Sequence, residues 1–301
     1  MYINYTHKVY IWKSETVVRW GVEKRLEFIE FRLFWEGGIN RADIIEHFGV
    51  SVPQASKDLT LYEEKAPGNL LYDKSAKRYM ASPHFKPVFL EPHADMYLAQ
   101  LQTEPLTGII EDSWLAAVPA FDMMPVPHRS VRVDVLRKLV GAIRSRRALK
   151  IKYQSMNTRR PDPEWRSISP HAFGHDGLRW HVRAFCHIDR KFKDFILSRC
   201  LDSGDVEEAL ATASSDRLWH EFFDVVLTAN PALSDSQRAV IEQDYEMVGG
   251  TVTVPVRKAL LYYFQKRLRL DIADKVDRPQ EIPVVVSNAS EFASALAEAT
   301  A

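Results

Sequence analysis

The spacing of apolar residues changes character partway along this chain, and that change limits the folds open to it. Val22, Leu26, Ile29 and Leu33 recur in steps of four, three and four, which places them on one face of an α-helix. From Leu149 the step falls to two. Leu149, Ile151 and Tyr153 alternate with Lys150 and Lys152, and Leu178, Trp180, Val182 and Ala184 alternate with Arg179, His181, Arg183 and Phe185. Phe195, Leu197 and Arg199 alternate with Ile196 and Ser198 in the same way. Helical and pleated patterns in separate blocks predict a multidomain α+β chain, and 301 residues leave room for two or three domains.

The first block reads as helix, short helix, turn, helix. Helix one is expected from about residues 15–19 to Glu36, where Gly37-Gly38 ends it. Asn40 caps a second helix that turns Ile44, Ile45 and Phe48 inward and stops at Gly49. Ser51-Val-Pro-Gln54 then has the form of a capping box with Pro in the first turn, opening a third helix. Its expected inward stripe is Val52, Ala55, Leu59 and Tyr62, with Gln54, Lys57, Thr60 and Leu61 on or near the outward face. That order is a helix-turn-helix. Two short strands near Leu70–Tyr72 and Arg78–Met80 add a hairpin wing with a basic tip. A DNA-binding reading gives Gln54 a base edge, Ser51, Ser56, Lys57 and Thr60 base or backbone contacts, and Lys74, Lys77 and Arg78 phosphates beside the groove. The other reading is a winged helix used for protein contacts, in an adaptor that binds nucleic acid through a basic barrel further along the chain without sequence-specific operator binding.

Net charge is zero, so only its distribution carries information. Residues 129–200 hold 18 basic and 6 acidic residues, whereas 201–301 hold 9 and 17. The basic block coincides with the period-two strands. A helix with Val131, Val135, Leu139 and Ile143 at four-residue spacing precedes them, and His175-Asp176-Gly177 marks a turn between two of them. Four or five short strands in about fifty residues are most economically closed as a small antiparallel β-barrel. Residues 83–128, acidic and dotted with proline, read as a connector with a helix near His93–Gln102.

At these strands the chain resembles the WYL-domain transcriptional regulators. Trp180-His181-Val182 stands at the namesake tripeptide, keeping only the Trp, and IKYQS, ISPHAF and DFILSRCLD are similar to the flanking strands of that Sm-like barrel. The order of modules resembles the subgroup of repressors associated with bacterial anti-phage defence islands, of the BREX/CBASS type. The resemblance implies a winged helix over 1–82, a connector over 83–128, a linking helix and ligand-sensing barrel over 129–205, and a C-terminal α/β extension over 206–301 that helps assemble a homodimer. It also implies a double-stranded operator with an inverted repeat. A nucleotide or nucleic-acid effector would sit in a barrel pocket drawn from Tyr153, Ser155, His171, Arg183 and Arg199. Two guanidinium forks for phosphates, His and Ser donors and a Tyr ring for a base make that set chemically coherent. Each also has a plainer reading: Tyr153 as core aromatic, His171 as a turn residue, Arg183 and Arg199 as partners of acidic side chains.

In the C-terminal third, Asp216–Leu227 reads as a helix, SDSQRAVIEQDYE as a Ser-capped helix, TVTVPV and IPVVV as strands, and ALLYYFQKRLRL and ASEFASALAEA as helices. Its acidity suits it to lie against the basic barrel of its own or a partner subunit. Phosphate-binding glycine loops, HExxH, GxSxG and zinc-type Cys/His spacing do not occur, so no catalytic residue, metal or cofactor is expected. Asp162 and Glu164 near Lys152 are the one nuclease-like grouping, and the intervening Pro163 sets them in a loop. Cys186 and Cys200 are expected as buried thiols. The start of the chain has no leader pattern and no apolar run is long enough to span a bilayer, so a cytoplasmic protein is expected.

Overall fold

The computed structural model describes residues 20–107, 114–115, 119–158, 160–275 and 278–301. The chain separates into two units, Met1–Pro125 and Val126–Ala301.

In the first unit, α1 (Trp20–Glu36), α2 (Arg41–Phe48) and α3 (Val52–Lys65) close around Leu26, Phe28, Ile29, Leu33, Ile44, Ala55, Leu59 and Tyr62. The start expected for helix one lies outside the described residues. Asn40 and Asp43 form a reciprocal capping box at α2, and Gly49, at φ 63°, donates its N–H to the Ile45 carbonyl. The wing strands β2 (Leu70–Asp73) and β3 (Arg78–Ala81) pair as expected, and β1 (Gly38–Ile39) adds a third strand on β3 that the sequence did not suggest. Only glycine fits at position 38, because a Cβ would meet the Tyr79 carbonyl oxygen at 2.7 Å.

The segment expected as a connector is tied to α1. Glu30, fully buried, accepts hydrogen bonds from the Tyr62 hydroxyl (2.9 Å) and the backbone N–H groups of Val88 (2.8 Å), Phe89 (2.5 Å) and Leu90 (2.5 Å). Further on, α4 (Ala94–Thr107) and Trp114 cover Phe31 and Trp35.

The second unit begins with α5 (Val133–Ser145), which presses Val135, Leu139 and Ala142 onto an all-antiparallel sheet of order β7-β6-β5-β4-β8. Its strands are β4 (Ala148–Tyr153), β5 (Glu164–His175), β6 (Trp180–Cys186), β7 (Lys191–Ile196) and β8 (Cys200–Glu207). Strands β7 and β8 lie at opposite edges yet are joined by the single 3-10 turn Leu197–Arg199. A flat five-stranded sheet would set its edges roughly 19 Å apart at about 4.8 Å per strand, beyond the reach of about 14 Å that this link allows. The sheet therefore curls into a barrel. Register shifts in β4 and at Pro170 in β5, where a ladder N–H is missing, supply the bends.

One helix expectation is corrected. Residues 216–227 hold only a single helical turn, α6 (Arg217–His220), followed by strand β9 (Phe222–Ala229). Phe222 to Leu227 is apolar at spacings that satisfy either period, and β-branched Val225 and Val226 with pairing on both sides decide for strand. β9 is the centre of a sheet of order β10-β9-β11, with β10 (Thr251–Arg257) and β11 (Val284–Val286), all antiparallel. The helices α7 (Asp235–Asp244), α8 (Leu261–Arg267) and α9 (Ala289–Thr300) complete this domain, whose core includes Val225, Leu227, Val256, Leu261 and Phe292.

Candidate nucleic-acid interface

The start of α3 is built for display. Ser51 accepts the Gln54 N–H at 3.4 Å, which is half of the expected capping box. The other half is absent because the Gln54 carboxamide turns along the helix and donates from Nε2 to Asp58 Oδ1 at 2.9 Å. Asp58, 1% exposed, is clamped by Arg25 of α1 through Nε at 2.6 Å and Nη2 at 3.3 Å. So Asp58, not Val52, completes the inward face of α3; Val52 is 56% exposed. Lys57 and Thr60 are exposed, Thr60 donating its hydroxyl to the Ser56 carbonyl at 3.0 Å, while Ser56 Oγ accepts from Arg41 at 3.4 Å. On the wing, Asp73 accepts the Ser75 and Ala76 N–H groups and shapes the turn that exposes Lys74 and Lys77. Arg78 differs: it donates to the Gly38 carbonyl and fastens β1 to the wing.

The five barrel residues named as a pocket fall at three places: Tyr153 with Arg199, His171 with Arg183, and Ser155 apart. Tyr153 is core, edge-on to Phe195 at 5.1 Å and covered by the Arg166 guanidinium at 5.6 Å. Burial raises its pKa, against the Ile196 N–H and Arg199 beside the hydroxyl. His171 and Arg183 face away from the barrel core and meet the C-terminal domain. There Asp216 accepts from Arg183 Nε (2.7 Å) and Nη2 (3.1 Å) and pairs with His171 Nε2 (2.9 Å). Burial alone would raise the Asp216 pKa, but the hydrogen bonds from His171 and Arg183 outweigh it and hold the carboxyl at about 2. Arg183 also reaches Asp194 at 3.4 Å, whose pKa is pushed up by burial despite that contact, and Tyr263 donates to the same carboxylate at 3.2 Å. Consecutive residues of β6 are buried on both faces for this reason: Val182 and Ala184 in the barrel, His181 and Arg183 in the seam.

Ser155 alone of the five lines an open cleft, of about 360 Å³, with Asn157, Arg160, Arg166, Asp189, Lys191 and Lys193. Arg166 is 5% exposed and engages Glu164 through Nη2, yet its Nε has no hydrogen-bond partner among the described residues. Four cations against Asp189 and Glu164 leave the cleft electropositive. The signal for these residues was present as the basic run Arg190–Lys193 and the strand WRS, but a period-two reading does not say which face of a curled sheet is left open.

This arrangement defines a winged-helix transcriptional regulator with a WYL domain. Three family models match in the same order: the BrxR transcriptional regulator winged helix-turn-helix domain over residues 21–103, the WYL domain over 134–202, and the BrxR transcriptional regulator C-terminal dimerization domain over 222–292. The DNA-binding transcriptional repressor CapW of Stenotrophomonas maltophilia is 41% identical over 91% of this chain and 92% of its own length. CapW proteins of Pseudomonas aeruginosa and Escherichia coli are 40% and 36% identical, each over 93% of both chains. The chain belongs to the CapW family of transcriptional repressors, regulators rather than enzymes. Among solved structures, proteasome accessory factor B/C of Arthrobacter aurescens aligns over 93% of this chain, which spans about half (49%) of that one, at 14% identity and a TM-score of 0.27, too loose a match to inform the fold.

Proposed function

We propose that this chain is a dimeric, sequence-specific repressor that sets α3 of each protomer into the major groove at the two halves of an inverted repeat. The observation that carries this reading is the exposed leading face of α3, with Gln54 and Lys57 outward, in one unit with a lysine-tipped wing. Residues 1–82 read DNA and residues 206–301 join the protomers, matching protein two-fold symmetry to the operator. The naming of the CapW relatives as DNA-binding repressors supports the same role, and the resemblance to defence-island repressors points to an anti-phage operon as the target, in the cytoplasm. No helix among the described residues is long and apolar enough to cross a membrane.

The effector is a nucleotide or short nucleic acid whose phosphates sit in the cleft of Ser155, Arg160, Arg166, Lys191 and Lys193. An unsatisfied Arg166 Nε and four cations are the chemistry such a ligand needs. Binding there changes repression only to the extent that the effector's affinity differs between DNA-bound and free protein. The test is sedimentation of the full chain with duplexes carrying one or two half-sites, with and without mononucleotides and short oligonucleotides. Two protomers per two-half-site duplex, released or tightened by one of those additions and not in Arg166→Met, is the expected result. One protomer per duplex removes the dimer, and oligonucleotide binding that leaves DNA affinity unaltered removes the sensor.

A further inference from the structure

We propose that the Arg25–Asp58–Gln54 chain fixes the orientation of the Gln54 carboxamide, and that this makes Gln54 a reader of adenine over guanine at one position of each half-site. The inference rests on the DNA-reading role of α3 and deepens it.

The two ends of a carboxamide differ, and a free glutamine turns either end outward by rotating its terminal torsion. Gln54 lacks that freedom. Its amide lies 2.9 Å from Asp58 Oδ1, and a carboxylate accepts only, so the NH2 group and not the carbonyl must face it. Asp58 cannot swing away, because Arg25 Nε and Nη2 hold its two oxygens at 2.6 and 3.3 Å and the side chain is buried. Arg25 comes from α1, so the clamp is anchored in another helix of the unit. One N–H of Gln54 is thereby committed. The carbonyl Oε1 and the second N–H remain, an acceptor and a donor side by side in fixed order.

In the major groove adenine offers the complement, the N6 amino donor beside the N7 acceptor, whereas guanine offers two acceptors, O6 and N7. A carboxamide held in this order meets adenine with two hydrogen bonds and guanine with one bond and an oxygen–oxygen repulsion. A carboxamide released to rotate can turn its NH2 toward guanine and loses the discrimination. Asp58 and Arg25 therefore act as positioning residues: neither needs to touch DNA to determine which base is read.

The experiment is selection of duplexes from a library with randomised half-sites by the purified full chain, followed by competition with single-base variants. Wild type is expected to enrich an adenine at one position of each half-site and to prefer it over guanine there by roughly tenfold or more, the scale of one bidentate base contact. Gln54→Ala, on a partly exposed side chain that the fold does not require, should lose the preference at that position alone. Asp58→Asn should still enrich the rest of the site while its adenine-over-guanine ratio falls toward one, and Asp58→Glu, which keeps the acceptor-only group, should retain part of it. If wild type enriches a motif but Gln54→Ala leaves every position unchanged, the inference is overturned while the repressor reading stands. A poorly folded Asp58→Asn leaves Gln54→Ala to decide. If wild type enriches nothing, both fall.

Discussion

Asp216 should behave as the structural anchor of the second unit. Its carboxylate accepts Arg183 at 2.7 and 3.1 Å, pairs with His171 at 2.9 Å and caps the Trp219 N–H at 3.3 Å. Replacing it strands a guanidinium that is 4% exposed, with Asp194 at 3.4 Å left to it among the described residues. Removing one partner of a buried pair typically costs about 3–5 kcal/mol, whereas replacing both by apolar groups is near neutral. Asp216→Leu and Arg183→Met should each lower unfolding stability by about 3–4 kcal/mol, or roughly 6–16 °C in Tm at about 2–4 °C per kcal/mol for a unit of this size. The double variant should lose less than the two single losses added together, because no guanidinium is stranded, and should stay below wild type by the lost helix cap, about 1 kcal/mol, and by the partners that His171 and Asp194 lose. Urea unfolding of the full chain, followed by tryptophan fluorescence because Trp219 sits at this seam, gives the double-mutant cycle, in which the double variant's loss should fall short of the summed single losses by about 3 kcal/mol or more. Single variants within about 1 kcal/mol of wild type and a coupling near zero would refute the seam, and would return Arg183 to the role of ligand-binding residue.

Other predictions follow from the same contacts. Because the Asp216 carboxyl is held at about 2 against an ordinary 3.8, its contribution is present above about pH 4 and is lost as pH falls toward 2. That contribution is roughly 2 kcal/mol. Asp194, shifted upward, acts with the opposite sign, so Asp216→Asn should flatten the acid limb of a stability-against-pH profile, and an unchanged limb would contradict the assignment. Glu30→Ala should untie residues 88–90 by removing the acceptor of their three backbone N–H groups, a loss of about 3 kcal/mol. Limited proteolysis should then cut near Phe89, and protection equal to wild type would count against the tether. Burial pushes the Cys200 thiol up to about 12, so iodoacetamide at pH 8 should label it only after unfolding; rapid labelling of native protein would show that the barrel core is open.

Most of the helical unit could be read from sequence because its signals are local. Asn40, Gly49 and Ser51 act within one turn of themselves, and the four-three-four spacing of α1 needs no knowledge of its partner. The barrel was legible for a similar reason, since alternation reports a pleat. What escaped is the identity of partners distant in sequence. Arg183 and His171 are charged or polar residues at strand positions, and the sequence does not say whether a phosphate or Asp216, 33 and 45 residues away, satisfies them. Asp58 is missing from the inward stripe read from the sequence because the arginine that permits its burial lies 33 residues earlier. The FFDVVL segment misled because its apolar spacing fits both periods and only pairing with β10 and β11 chooses strand.

The most direct measurement is fluorescence anisotropy of the full chain on the duplex immediately upstream of its own coding sequence and on a scrambled duplex, each titrated at several salt concentrations. Phosphate attraction alone is salt-sensitive and indifferent to sequence. The repressor account predicts selectivity of roughly a hundredfold or more that persists as salt rises and is largely lost in Gln54→Ala with Lys57→Ala. Equal affinity for both duplexes, falling together with salt, would contradict it.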